Sequence, residues 1–199
     1  MTLFETGPIE LLPFDGSAIL YEHHWDQDES RVFEQEIQSS TPWQQPLLYV
    51  FGREVEQPRL TAWFGDPGKA YSYSGTHLEP LPWTPTLNNI RSSCERIASH
   101  SFNSVLVNLY RDGQDGVAWH ADNEPELGPS PVIASVSFGV TRAFHLRHRE
   151  SKETVKIDLN SGSLLIMSGL SQSRWVHQIP KTARTVGPRI NLTFRTIYV

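Results

Sequence analysis

The stretch Pro188-Arg189-Ile190-Asn191-Leu192-Thr193-Phe194-Arg195 decides how the rest of this sequence is read. Side chains alternate faces along a β-strand. Ile190, Leu192 and Phe194 therefore share one oily face, while Arg189, Asn191, Thr193 and Arg195 share a face of two guanidiniums, an amide and a hydroxyl. Such a strand packs one side on a core and turns the other either to water or into the mouth of a barrel. In a barrel mouth the polar face suits an anionic ligand, because guanidinium pairs bidentately with carboxylate. At the rise of an extended strand, positions 189 and 195 stand about 20 Å apart. On that measure one small ligand is not expected to be gripped by both arginines.

Upstream of this stretch, most of the second half also reads as short strands: 104–110, 132–138, 142–148, 154–159, 163–167 and 175–179, with the last running 189–199. The first half carries two helix patterns. Residues 28–38 (DESRVFEQEIQ) begin with acids and space Val32, Phe33 and Ile37 as a helix face. Thr84-Pro85 is an N-cap followed by proline at the first helical position, and Leu87, Ile90, Cys94, Ile97 and Ala98 line one face up to about His100. Residues 47–51 and 59–64 read as strands, and 65–83 as a turn-rich aromatic stretch. Two early helices followed by many short strands predict a barrel or sandwich with helices packed outside.

A chain of 199 residues, 38% of them apolar, is expected to be one domain, or one domain with a small appendage, able to bury a core. Its single cysteine, Cys94, excludes a disulfide framework and any site built from several thiolates, and suits a reducing cytosol. No run of 18 apolar residues exists, so no membrane span is expected, and the start, Met1-Thr2-Leu3-Phe4-Glu5, lacks a secretory pattern. The net charge of −5 speaks against a generally basic nucleic-acid binder. Its distribution weakens that objection, leaving a solvated charged surface and a binding face as equal readings. Residues 1–36 hold nine acids and one base, whereas residues 140–199 hold ten bases and three acids, so a basic face remains to meet a polyanion.

Two histidines and one carboxylate on one face of an iron leave open positions for a cosubstrate and oxygen. A His-x-Asp/Glu pair supplies two such ligands from one strand, since i and i+2 project the same way. The sequence has four: His24/Asp26, His77/Glu79, His120/Asp122 and His148/Glu150. At most one of them belongs to a single site. His24 lies in the acidic leader, His77 precedes a proline-rich turn, and His148 sits among Arg147, Arg149 and Lys152, whose charge opposes a cation. His120 and Asp122 follow a strand and the turn Arg111-Asp112-Gly113-Gln114-Asp115-Gly116, and His177, in the strand before the arginine-bearing one, is the third candidate.

Taken together, Asn108-Leu109-Tyr110-Arg111-Asp112-Gly113, His120-Ala121-Asp122, Ala134-Ser135-Val136-Ser137-Phe138-Gly139, His177 and the 188–195 strand resemble the AlkB family of iron(II)- and 2-oxoglutarate-dependent dioxygenases. The resemblance extends upstream to Val50-Phe51-Gly52-Arg53, Pro58-Arg59, Tyr71-Ser72-Tyr73-Ser74-Gly75 and Pro82-Trp83-Thr84-Pro85, and is greatest to the branch repairing alkylated duplex DNA. It implies a mixed α/β, mainly β fold: a double-stranded β-helix (jelly-roll) core with N-terminal helices outside and a nucleotide-recognition lid. Residues 1–45 would form an acidic leader with a helix in the same unit, and 46–199 the dioxygenase domain, with 46–83 as the lid.

The same resemblance implies roles for individual residues. His120, Asp122 and His177 would hold Fe(II), with Arg195 counted among the catalytic residues. Asn108, Tyr110, Arg189, Asn191, Thr193 and Arg195 would surround 2-oxoglutarate, the two arginines meeting its two carboxylates, against the strand-length estimate above. Phe51, with Gly52 and Arg53, would fill the space left by a flipped base. Arg59, Tyr71, Ser72, Tyr73, Ser74, Asn123 and Glu124 would face the nucleobase, aromatic faces holding an extruded base. Asn123 stands where the family often has an acid, and an amide cannot stabilise a cationic base electrostatically. Arg142, Arg147, His148, Arg149 and Lys152 are candidates for phosphate contacts. The implied reaction consumes O2 and 2-oxoglutarate, removes N-methyl groups from 1-methyladenine and 3-methylcytosine, and releases formaldehyde, succinate and CO2. The expected partner is alkylated DNA, single- or double-stranded, or RNA; the alternative is the same chemistry on RNA or a protein side chain. A cytoplasmic monomer without a membrane partner is expected.

Overall fold

The computed structural model describes residues 7–50, 52–68, 71–73 and 76–198. In chain order its elements are β1 (Ile9–Glu10), β2 (Ser17–Tyr21), α1 (Gln27–Ser40), β3 (Leu47–Val50), β4 (Arg53–Glu56), β5 (Leu60–Gly65), β6 (Tyr71–Tyr73), β7 (Thr76–Leu78), α2 (Pro85–Ala98), β8 (Ser104–Tyr110), β9 (Val117–His120), β10 (Ile133–Gly139), β11 (Arg142–His148), β12 (Thr154–Leu159), β13 (Ser163–Ser168), α3 (Ser171–Arg174), β14 (Trp175–Ile179) and β15 (Arg189–Arg195). Seven strands form one sheet in the order β1-β2-β13-β10-β15-β8-β5, and four form a second in the order β12-β11-β14-β9. The hairpins β3–β4 and β6–β7 are separate two-stranded units. The fold is mainly β with a few helices, as the sequence predicts.

The seven-stranded sheet is covered on both faces, which is why β8 and β15 are buried along their whole length. One face packs on the helices. There Val105, Val107 and Leu109 of β8 and Ile190, Leu192 and Phe194 of β15 join Ile37 of α1 and Leu87, Ile90 and Cys94 of α2 in one core. The other face looks toward the four-stranded sheet, where Leu165, Met167, Phe144, Leu146, Trp175 and Ile179 form a second core. In β11 the alternation is complete: Phe144 and Leu146 point in, while His145 and Arg147 point out.

Both long helices begin where their capping chemistry places them. Asp26 accepts hydrogen bonds from the Asp28 and Glu29 amides, and the Glu29 carboxylate in turn accepts one from the Asp26 amide, a capping box. The Thr84 hydroxyl accepts from the Leu87 amide, with Pro85 at the first helical position. On α1, Val32 departs from the expected apolar face and is half exposed; Phe33 and Ile37 carry the contact with the core. The final strand stops at Arg195, short of the expected 199, because Asn103 and Glu126 take the amides of Ile197 and Tyr198 out of the sheet.

The turn between β8 and β9 sets where His120 begins. Asp115 accepts from the Arg111 amide at 2.9 Å and from its guanidinium at 2.8 and 2.9 Å. A Cβ on Gly113 would lie 2.4 Å from the Thr182 carbonyl oxygen, so only glycine lets this turn meet the segment after β14. Burial pushes the Asp115 carboxyl up, but the Arg111 hydrogen bonds outweigh it and hold it below its ordinary value. A depressed carboxyl adds stability that is present above the unfolded pKa and is lost as pH falls through the folded one. Asp115→Asn is therefore expected to cost ~1–3 kcal/mol at neutral pH, with the gap from the wild type closing below about pH 4. Urea midpoints measured across that range check it.

Candidate active site

His120 ends β9 and His177 lies in the middle of β14, directly opposite it in the antiparallel ladder. A bulge between His177 and Ile179 shifts the register there. The two rings stand 4.3 Å apart at 62°. Asp122 follows two residues after His120, beyond the strand, and the ligand atoms of His120, Asp122 and His177 all lie within 4.8 Å of one another. The Nδ1 of His120 is 2.8 Å from the Ala118 carbonyl oxygen. A carbonyl can only accept, so Nδ1 carries the proton and Nε2 keeps its lone pair for a metal.

The electrostatics suit a cation. Burial, and then the neighbouring His120, push the His177 imidazole down to about 3, so it is neutral at physiological pH. Burial would raise the Asp122 carboxyl, but the Arg195 guanidinium outweighs it and keeps it ionised. Arg195 Nη2 donates to Asp122 Oδ1 at 2.6 Å, and both side chains are 4% exposed. A neutral imidazole, a second with its lone pair free and an anionic carboxylate form a donor set that fits Fe(II).

The polar face of β15 continues the wall. Arg189 donates to the Ser137 hydroxyl at 2.9 Å, and Asn191 donates to the Ser135 hydroxyl and the Val136 carbonyl, both at 2.9 Å. Thr193 donates to Asn191 Oδ1 at 3.1 Å. Arg189 is 1% exposed, burial pulls it down to about 10, and its Nε and Nη1 have no hydrogen-bond partner among the described residues. A buried guanidinium with two unmet donors fits the carboxylate of a keto-acid such as 2-oxoglutarate. Arg189, Asn191, Thr193 and Arg195 line one cavity of about 540 Å³, its open mouth included, together with Asn108, Tyr110 and the His-Asp-His trio. The strand-length estimate is thereby corrected. It measured backbone positions and left out two long side chains that both reach the same space.

A family model described as the 2OG-Fe(II) oxygenase superfamily matches residues 17–195. The alpha-ketoglutarate-dependent dioxygenase alkB homolog 3 of Mus musculus is 43% identical over 208 aligned positions, covering 100% of this chain and 70% of that protein. The chain belongs to the AlkB family. Like that relative it is an Fe(II)- and 2-oxoglutarate-dependent dioxygenase. It is also similar to the DNA oxidative demethylase ALKBH2 of Homo sapiens, 42% identical over 158 positions, which cover 75% of this chain and 60% of that protein. The solved structure of OsALKBH1 superposes with a TM-score of 0.67 at 17% identity, covering 94% of this chain and 99% of the other, which shows a shared fold.

Arg59, expected at the nucleobase, is 5% exposed; it lines the cavity and donates to Asn108 Oδ1 at 2.7 Å. Two members of the expected phosphate-binding run are buried. Arg142 is 3% exposed and donates to the carbonyls of Asp112, Asp115 and Pro180, binding the β8–β9 turn to the strand after it. His148 is equally buried, between Phe14 and Trp175, with Nε2 3.3 Å from Asp15. Arg147 remains on the outer face, its guanidinium 4.2 Å over the Trp119 ring, and Arg149 and Lys152 lie in the β11–β12 turn.

Gly52 and Arg53 are exposed at the tip of the β3–β4 hairpin, Tyr71, Ser72 and Tyr73 form β6, and Asn123 is exposed beside half-buried Glu124. Phe51 and Ser74 lie outside the described residues. Sequence reasoning gave no role to Ser135 and Ser137, which hold Asn191 and Arg189. Their signal was the period of two in Ala134-Ser135-Val136-Ser137-Phe138, which turns both hydroxyls to the polar face. Removing the Arg195 cation should expose the charge balance directly. Arg195→Met is expected to destabilise the metal-free protein by ~3–5 kcal/mol, and adding Asp122→Asn to restore part of it, as read from urea midpoints.

Proposed function

We infer that this protein removes N-methyl groups from nucleobases in DNA, acting on 1-methyladenine and 3-methylcytosine with Fe(II), 2-oxoglutarate and O2 and releasing formaldehyde, succinate and CO2. The observation that carries the reading is the His120-Asp122-His177 trio facing the same cavity as the buried, incompletely satisfied Arg189 guanidinium. The ALKBH2 relative, a protein named as a DNA oxidative demethylase, supports the choice of substrate.

His120, Asp122 and His177 would hold Fe(II), which when bound supplies oxidation of the methyl carbon coupled to decarboxylation of 2-oxoglutarate. Arg189 supplies a fixed positive charge to one carboxylate, and Ser137 holds its guanidinium in place. Asn191 is pinned by two acceptors of β10 and keeps its orientation beside that charge. Arg195 keeps Asp122 ionised, so the carboxylate is ready to coordinate without first losing a proton. Phe144, stacked 5.4 Å from the His177 ring, together with Ile179 and Met167, keeps one side of the cavity apolar and limits water there. Within residues 46–83, the hairpins β3–β4 and β6–β7, which pair with neither core sheet, would serve as the lid over an extruded base, while β5 between them belongs to the seven-stranded sheet.

Formaldehyde release from methylated oligonucleotides, single- and double-stranded, DNA and RNA, tests the proposal. Release from methylated DNA is expected, and His120→Ala or Asp122→Ala should abolish it while the fold persists. Turnover on RNA alone would move the substrate to RNA, and no release from any methylated strand would remove the demethylase reading. Phe51→Ala is expected to reduce turnover on duplex DNA far more than on single strands.

A further inference from the structure

We propose that Gln172 is a positioning residue for the metal site: its side-chain carbonyl holds the Asp122 backbone, and through α3 ties that ligand to the strand carrying His177. The inference rests on the reading of His120, Asp122 and His177 as metal ligands.

Asp122 lies beyond the end of β9, so no ladder hydrogen bond fixes its main chain. Its amide instead donates to Gln172 Oε1 at 2.9 Å, in a fully buried contact. Gln172 is 1% exposed, and its Nε2 points to Met167 Sδ at 3.5 Å and to the Ser171 hydroxyl at 3.4 Å. A thioether and a hydroxyl shared at the limit of hydrogen-bond length are weak acceptors. The Asp122 amide is thus the contact that sets the side-chain orientation.

Position in the chain gives the contact its consequence. Gln172 lies in α3, and β14 starts directly after that single turn, placing His177 three residues past its end. Met167, which Gln172 also touches, lines the cavity from β13. One amide therefore clips the loop bearing the carboxylate ligand to the segment bearing the distal histidine. Arg195 holds the Asp122 carboxylate from the other side, so the residue is fixed at both its main chain and its side chain. Groups that orient metal ligands from behind typically change metal affinity 10- to 100-fold when removed.

Gln172→Met retains the length and packing of the side chain while deleting the acceptor oxygen, and Gln172→Glu retains the oxygen. The readout is anaerobic Co(II) titration of the full chain by its visible absorption bands, with thermal unfolding of the metal-free proteins alongside. The expected result is Co(II) affinity weakened ~10- to 100-fold in Gln172→Met, altered band positions, a nearly unchanged metal-free unfolding midpoint, and recovery of most of the affinity in Gln172→Glu. Wild-type affinity and bands in Gln172→Met overturn the proposal, as does a loss that Gln172→Glu does not recover. If Gln172→Met does not fold, the same titration of Gln172→Asn, whose shorter side chain withdraws the oxygen, decides by the same criterion. Failure of the wild type to bind Co(II), or binding that His177→Ala leaves intact, would instead sink the metal-site reading itself.

Discussion

A carboxylate buried between two imidazoles can remain an anion here because a guanidinium stands 2.6 Å from it. Taking a charge out of water costs several kcal/mol unless a partner and hydrogen bonds replace the solvent. Arg195 is that partner. It comes from β15, the strand whose opposite face closes the core against α1 and α2. The strand is thus bound by two requirements at once. Its even positions must be apolar to seal the helical layer, and its odd positions must be polar to balance the cavity.

The same economy holds through the wall of the cavity. Ser135 and Ser137 of β10 face Thr193 and Asn191 of β15 across the ladder, small hydroxyls that satisfy larger groups without filling the space a ligand needs. Asn108 of β8 lies across from Asn191 on the other side and is held by Arg59. Three neighbouring strands each contribute a residue held by another residue, so the polar wall is ordered by its own hydrogen bonds. Arg189 keeps two donors without a hydrogen-bond partner among the described residues, and an open donor in a buried polar wall marks where an anion belongs.

What the sequence made legible follows from how local the signal was. The alternation of β15 and the Thr84-Pro85 start of α2 are written in adjacent residues, and the structure repeats both. The metal trio was legible only in combination, since three other His-x-acid pairs compete with it. β2 was hidden because the acidic residues around it dominated the reading of the leader, although Ala18 and Leu20 alternate and are buried against β13. β9 has four residues and a bulge beside it, which breaks the period of two that would have announced it. Arg142 looked like a surface cation because its partners are backbone carbonyls from two distant turns, and main-chain acceptors leave no trace in composition.

The buried arginines point to a common rule for this fold. Arg59, Arg142, Arg189 and Arg195 are all buried, and each is committed to the cavity or to the turn that positions it. Of the basic C-terminal third, three arginines therefore serve the interior, and the cations left to meet a polyanion are fewer than the sequence count suggests. The other seven, Arg147 over the Trp119 ring and the exposed Arg149, Lys152, Lys156, Arg174, Lys181 and Arg184, are what remains at the surface.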